Sequence, residues 1–78
     1  KQLAQRLLET YAARLQGLIG RAKAQGEVHP EIDTRAAVML FIGSIQGLVM
    51  QSMMAGDILH IKRNAPGVFA LYLRGVRV

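Results

Sequence analysis

The stretch TRAAVMLFIGSIQGLVMQSMMA, from Thr34 to Ala55, decides the fold of this chain. It carries no charged residue after Arg35, and the next charge is Asp57. At about 100° per residue, its apolar side chains fall into two stripes on a helix. The bulky stripe consists of Ala37, Val38, Phe41, Ile42, Ile45, Leu48, Val49 and Met53. The small or flexible stripe consists of Ala36, Met39, Leu40, Gly43, Gly47, Met50 and Met54. Because a helix that is apolar on two sides is buried on two sides, we interpret the bulky stripe as intramolecular core and the small stripe as a seat for a second helix.

Amphipathic segments flank this helix on both sides. Leu3 to Gln25 has helical spacing with one apolar face, and Gly26 is the C′ residue that ends it. Asp33 is placed to cap the central helix at its start. A third helical periodicity continues to the end of the chain, where Pro66 predicts a kink or a restart with Asn64 as the new N-cap. The sequence therefore predicts an all-α fragment of three helices with a kinked or interrupted last helix.

The composition limits what the chain can be. Its 78 residues are 51% hydrophobic and carry a formal net charge of +5 with no cysteine. One domain or less is expected, without disulfides or thiolate metal sites. A chain this short buries only about 60% of its unfolded surface, so its apolar content predicts cover from a membrane, a partner or a missing part of the same protein. Since Lys1 leads straight into a helical pattern, we expect the chain to be a fragment of a longer protein.

The sequence gives little support for chemical catalysis. His29 and His60 have no second ligand at helical spacing, so no metal site is expected. The acidic residues around Glu27 cluster in a turn, and neither a nucleophile–base pair nor a phosphate loop is present. The basic residues are scattered along the chain rather than grouped. We expect no enzyme activity, no cofactor and no direct contact of this stretch with DNA.

The central stretch leaves alternatives open. Gly43 and Gly47 form a GxxxG pattern, and about twenty uncharged residues are long enough for a transmembrane span. The polar residues within the stretch and the absence of an aromatic belt favour instead a helix between a domain core and a dimer partner. Its four methionines are compatible with a hydrophobic ligand pocket, an interface or ordinary core. A membrane-associated helical hairpin and a ligand-free structural dimerisation module therefore remain alternatives.

Three segments of the chain resemble a known family. The run Gly26–Asp33 (GEVHPEID), followed by two alanines, resembles the loop between the seventh and eighth helices of tetracycline-repressor (TetR) family regulators. Phe41–Leu48 (FIGSIQGL) resembles the eighth helix of that family, and Val68–Val76 (VFALYLRGV) resembles the ninth. The resemblance covers essentially the whole chain, but only the back half of such a regulator, without its N-terminal helix-turn-helix.

The resemblance implies a function for residues 1–78 as the C-terminal dimerisation and effector-binding portion of a ligand-responsive bacterial repressor. In this family the eighth and ninth helices of two subunits pack as a four-helix bundle, which implies a cytoplasmic homodimer without membrane contact. The residues implied at the dimer contact are Gly43, Gly47, Met50, Met54, Phe69, Tyr72 and Leu73. The residues implied to line the effector cavity are Tyr11, Leu15, Phe41 and Ile45. An apolar, methionine-containing wall favours a hydrophobic or aromatic small molecule as effector, and DNA would be bound only through the missing N-terminal domain.

Overall fold

Three α-helices account for most of the chain. The computed structural model describes residues 2–78. Its helices are α1 (Gln2–Ala24), α2 (Thr34–Ala55) and α3 (Leu59–Val76). This order confirms the predicted all-α fold. Among the described residues, extended pairing is limited to one antiparallel bridge between Val28 and Arg77.

The C-terminal end of α1 is fixed by Gly26, as predicted. Gly26 has a φ of 80°, in the left-handed region that side chains with a Cβ rarely adopt. Its N–H donates to the carbonyl oxygen of Lys23 at 3.1 Å, and the N–H of Glu27 donates to that of Ala22 at 2.9 Å. These two bonds form a Schellman motif, which satisfies carbonyl groups that the end of a helix would otherwise leave unpaired.

Both ends of α2 carry a cap. The carboxylate of Asp33 accepts a hydrogen bond of 3.2 Å from the backbone N–H of Ala36, which confirms the predicted N-cap. At the other end Gly56 adopts a φ of 64°, and the N–H of Asp57 donates to the carbonyl oxygen of Ser52 at 3.0 Å. The uncharged stretch is therefore one helix whose length is set by local signals.

Pro66 does not divide the last helix. Of the two outcomes predicted for it, the restart is wrong, because α3 runs unbroken from Leu59 to Val76 with Pro66 inside it. Asn64 is accordingly not an N-cap, and its side-chain amide donates to the carbonyl oxygen of His60 at 2.9 Å. Pro66 and Lys62, four residues before it, are both exposed, so water can reach the carbonyl that the proline leaves without a donor.

The core of the described chain is built on α2, which packs against both α1 and α3. Ala37, Val38 and Leu48 of the bulky stripe are buried, and Val28 of the α1–α2 loop joins them. Toward the C-terminal end of α2, residues of the bulky stripe become exposed to solvent. The bulky-stripe residues that the structure leaves exposed, against the prediction of core, are Ile45, Val49 and Met53. The other two helices leave these side chains open, so this part of the stripe is uncovered among residues 2–78.

The chain is more open than a finished domain of its size. Its radius of gyration is 14.0 Å, whereas a compact domain of 78 residues has about 11.5 Å. Its accessible surface is 6186 Å², about 1,500 Å² above what a compact monomer of 8.6 kDa exposes. Much of the excess is apolar, since seventeen large hydrophobic residues are exposed among those the structure describes.

Candidate effector grooves and dimer surface

An open concavity lies between α1 and α2, here called the α1–α2 groove. Its volume is about 560 Å³, in the range of small-molecule sites. Apolar side chains form its floor, and polar groups from both helices surround them. The lining residues are Leu8, Glu9, Ala12, Ala13, Gln16, Arg35, Val38, Met39, Ile42 and Gln46.

A second groove of about 530 Å³ lies between the end of α1, the loop after it and the end of α3. We call it the α1–α3 groove. Leu18 and Ile19 line it from α1, and Tyr72, Leu73 and Val76 line it from α3. The antiparallel bridge joins two of its walls, because the α1–α2 loop and the C-terminal segment that form the bridge both line the groove.

The four residues predicted to line an effector cavity are not among those that line the α1–α2 groove. Tyr11, with 66% of its surface exposed, and the half-buried Leu15 lie on the side of α1 that carries Leu18, a lining residue of the α1–α3 groove. Phe41 is packed between α2 and α3, and Ile45 is exposed on α2. Their part in effector binding stays a prediction.

An aromatic cluster holds α3 on α2. The ring of Phe41 stacks on Phe69 at a centroid distance of 5.4 Å and meets the edge of Tyr72 at 5.3 Å. The Tyr72 hydroxyl donates a hydrogen bond of 2.7 Å to the carbonyl oxygen of Ala37. Burial raises the pKa of the Tyr72 phenol above its ordinary value, because the phenolate would lose solvation there. Phe69 and Tyr72, which were predicted at the dimer contact, therefore already pack within the chain.

The small stripe of α2 lies on the opposite side of the helix from the core, and we call it the outer face. Its large residues are exposed, with Leu40 at 59% and Met54 at 80%. At Gly43 and Gly47, no neighbouring side chain of the described residues lies within 4 Å of the place where a Cβ would stand. The predicted dimer residues of α2 therefore share one uncovered surface, and their contact with a partner stays a prediction.

Residues of α3 that were not predicted at the dimer contact adjoin this outer face. Gly43 and Gly47 line a third concavity of about 440 Å³, the α2–α3 groove, together with His60, Asn64 and Val68. Leu71, which is 72% exposed, follows Asn64 by seven residues and so shares its side of the helix. Leu73 instead lines the α1–α3 groove. The signal in the sequence was that His60, Asn64 and Leu71 share one side of the α3 helix, and that this side differs from the one that carries the core-facing residues.

A polar cluster crosses the α2–α3 groove. The Nε2 of His60 is 2.9 Å from the Oε1 of Gln51, and its Nδ1 is 3.2 Å from the side-chain nitrogen of Asn64. Since the Asn64 amide donates to Nδ1, the proton of the neutral ring lies on Nε2 and is donated to Gln51. These hydrogen bonds hold three polar side chains, Gln51, His60 and Asn64, in place beside the apolar outer face.

The turn between α2 and α3 is held by its own hydrogen bonds. The Ser52 hydroxyl donates to the carbonyl oxygen of Asp57 at 2.6 Å, and the Asp57 carboxylate accepts from the N–H of Leu59 at 3.1 Å. The hydrogen bond from the Arg63 guanidinium, supported by that from Leu59, holds the pKa of Asp57 below its usual value. Within residues 2–78 no group of three or more His, Cys, Asp or Glu side chains could hold a metal ion.

The helix α2 is also long and apolar enough to cross a membrane by length and composition. Only 22% of its most apolar window is buried within the chain. The core helix of a soluble protein can have the same length and composition.

Comparison with known proteins identifies the family. The family model described as the tetracyclin repressor-like C-terminal domain matches residues 1–68. No curated protein and no solved structure matches the chain. The matched residues include α1, α2 and the first half of α3, which carry the core, two of the three grooves and the outer face. The chain therefore belongs to the family of tetracycline repressor-like C-terminal domains.

Proposed function

We propose that this chain is the regulatory region of a TetR-like transcriptional regulator, which pairs two subunits and senses a small hydrophobic or aromatic molecule. The observation that carries the proposal is the outer face of α2. This face is apolar, has no side-chain bulk at Gly43 and Gly47, and is uncovered in the described chain.

The area of exposed surface supports self-association. The excess of about 1,500 Å² on one chain is comparable to what each subunit contributes to a large obligate interface. A two-fold dimer would place the same patch on both subunits, so each outer face would meet its own copy. The two glycines would let the helix axes approach closely, and the neighbouring Leu71 would extend the contact onto α3.

The grooves beside α1 support the sensing of a ligand. Both volumes, about 560 and 530 Å³, suit a small organic molecule. Neither groove is lined by Gly43, Gly47, Met50 or Met54, and Met39 is the one residue that the outer face shares with the α1–α2 groove. Most of the outer face would therefore stay available to a partner subunit while an effector is bound. Effector binding would favour one dimer geometry, and the DNA-reading domains would then no longer match their half-sites. Such control requires that the effector bind the two geometries with different affinity.

Two measurements on the purified chain test this function. Sedimentation equilibrium without detergent should give the mass of a dimer. A thermal-shift screen should find hydrophobic or aromatic compounds that raise the melting temperature, because a ligand that binds the folded state stabilises it. A dimer that responds to no compound would favour the ligand-free structural module. A chain that stays in solution only with detergent or lipid would favour the membrane-associated hairpin, the candidate that the length and hydropathy of α2 support.

A further inference from the structure

The α1–α2 groove combines an apolar floor with charge at its rim. Leu8 of α1 and Val38, Met39 and Ile42 of α2 supply hydrocarbon, and Val38 is the largest fully buried side chain of the described residues. Arg35 enters the lining from the first turn of α2. The groove therefore suits a molecule with an apolar body and a polar head.

Arg35 makes no ion pair among the described residues. The ion pair of residues 2–78 joins Arg63 to Asp57 and does not involve Arg35. Asp33 lies two positions before Arg35, a spacing at which helical side chains do not face each other, and its carboxylate accepts from the Ala36 N–H. A guanidinium keeps its positive charge at any ordinary pH and recognises carboxylates through two parallel N–H donors.

The groove also contains a carboxylate, that of Glu9, which like Arg35 makes no ion pair among the described residues. Arg6 lies one helical turn before Glu9, and both line a shallow depression at the start of α1. The chain as a whole carries a net charge of +5, which raises the local concentration of anions around it. The groove lining itself holds one positive and one negative side chain, so it is Arg6 beside Glu9 and the positive net charge of the chain that favour a negative head group at Arg35. Gln16 and Gln46 are available as neutral donors.

From this arrangement we infer that the α1–α2 groove binds an organic carboxylate with an apolar body. The carboxylate head meets Arg35, and the hydrocarbon lies on Val38, Met39 and Ile42. The inference rests on the proposed function as a ligand sensor and specifies the chemical class of the effector. It also assigns Arg35 as the residue that selects an anion over a neutral or cationic molecule of the same size.

The experiment compares three probes that share a hydrocarbon chain and differ in charge: octanoate, octanol and octylamine. Binding of each to the purified chain is measured by isothermal titration calorimetry at low and at high salt. Octanoate should bind most tightly, and salt should weaken only its binding.

Arg35→Gln should weaken octanoate binding about tenfold, the loss expected for one charged hydrogen bond, and leave octanol unchanged. Arg35→Lys should retain part of the preference, and Arg14→Gln on α1, outside the groove lining, is the matched control.

The outcomes separate this inference from the function on which it rests. Equal binding of the three probes, or tighter binding of octylamine, would overturn the preference for an anion and leave ligand sensing intact. A dimer that binds none of the probes would overturn the inference without touching dimerisation. If Arg35→Gln does not fold by circular dichroism, the probe series and its salt dependence on the unchanged chain decide the question. Octanoate preference that Arg35→Gln and Arg14→Gln reduce equally would show that overall charge, and not Arg35, selects the anion.

Discussion

The hydroxyl of Tyr72 donates a hydrogen bond of 2.7 Å to the carbonyl oxygen of Ala37 and so joins the last helix to the first turn of α2. The ring of the same tyrosine meets Phe41 one helical turn further along α2. One side chain of α3 therefore contacts both the backbone and the aromatic core of α2. The packing of α3 on α2 should depend strongly on this residue.

Removal of the hydroxyl tests the hydrogen bond alone. Tyr72→Phe keeps the aromatic contacts and should lower the free energy of unfolding by about 1 kcal/mol, the net worth of one intramolecular hydrogen bond. Urea denaturation followed by circular dichroism measures the change. Tyr11→Phe, at an exposed position of α1, is the matched control and should change stability by less than about 0.5 kcal/mol. Equal effects of the two variants would contradict a special role for the Tyr72 hydroxyl.

The raised pKa of Tyr72 predicts a loss of stability in alkali. Its pKa is higher in the folded chain than in the unfolded chain, so above the ordinary tyrosine value of about 10 the unfolded state gives up this proton first. The contribution is fully present below that pH and is lost as the pH rises through the folded-state value. Denaturation curves between pH 9 and pH 11, in steps of about 0.5, should show a steeper decline for the original chain than for Tyr72→Phe. Parallel declines would contradict the assignment to this residue.

The outer face of α2 can be tested by the addition of bulk. A Cβ at Gly47 would meet no neighbouring atom of the described residues within 4 Å, and the groove of about 440 Å³ that Gly47 lines leaves room for the rest of a leucine side chain. Because Gly47→Leu also replaces a poor helix former, the isolated fold should lose little stability. In a dimer the new side chain would hold the two helices apart and raise the dissociation constant about tenfold or more. Sedimentation equilibrium measures this constant. Gly20→Leu, at an equally open position of α1, should leave it unchanged. A Gly47→Leu chain that dimerises as well as the original would contradict the proposed contact.

Two leucines of α3 test which side of that helix takes part in the proposed dimer contact. Leu71 is 72% exposed beside the α2–α3 groove, whereas Leu73 is 46% exposed and lines the α1–α3 groove. Leu71→Ser should therefore raise the dissociation constant of the dimer about tenfold, the equivalent of one partly buried leucine. Leu73→Ser should change it much less. The reverse order in sedimentation experiments would favour the set that contains Leu73.

The helices and their ends were predictable because their signals are local. Gly26 and Gly56 adopt left-handed backbone where each helix ends, and Asp33 caps α2 through its own side chain. Each signal involves neighbours within a few residues and needs no knowledge of the rest of the fold. The same holds for the two stripes of α2, which follow from the 3.6-residue period.

The 3.6-residue period of the helices could not show which element packs against each apolar face. A helical wheel shows that Phe69 and Tyr72 are on an apolar side, but both a partner subunit and α2 are compatible with that pattern. The structure places them on Phe41, and it leaves Leu71 exposed. The exposure of Met53 depends on how far α1 and α3 extend over α2, which is a tertiary property. The continuity of α3 through Pro66 likewise depends on packing at either side of it.

The bridge between Val28 and Arg77 makes the chain close on itself. The N–H of His29 donates to the carbonyl oxygen of Val76 at 3.0 Å, and the N–H of Val78 donates to that of Glu27 at 3.1 Å. The C-terminal end of α3 is therefore hydrogen-bonded to the loop that joins α1 and α2. A movement of α1 that displaces the α1–α2 loop must therefore displace the C-terminal end of α3 as well, or break both of these hydrogen bonds. The α1–α2 loop and the C-terminal end of α3 are thus coupled, so a ligand that shifts α1 at this loop would also shift α3, which packs on α2.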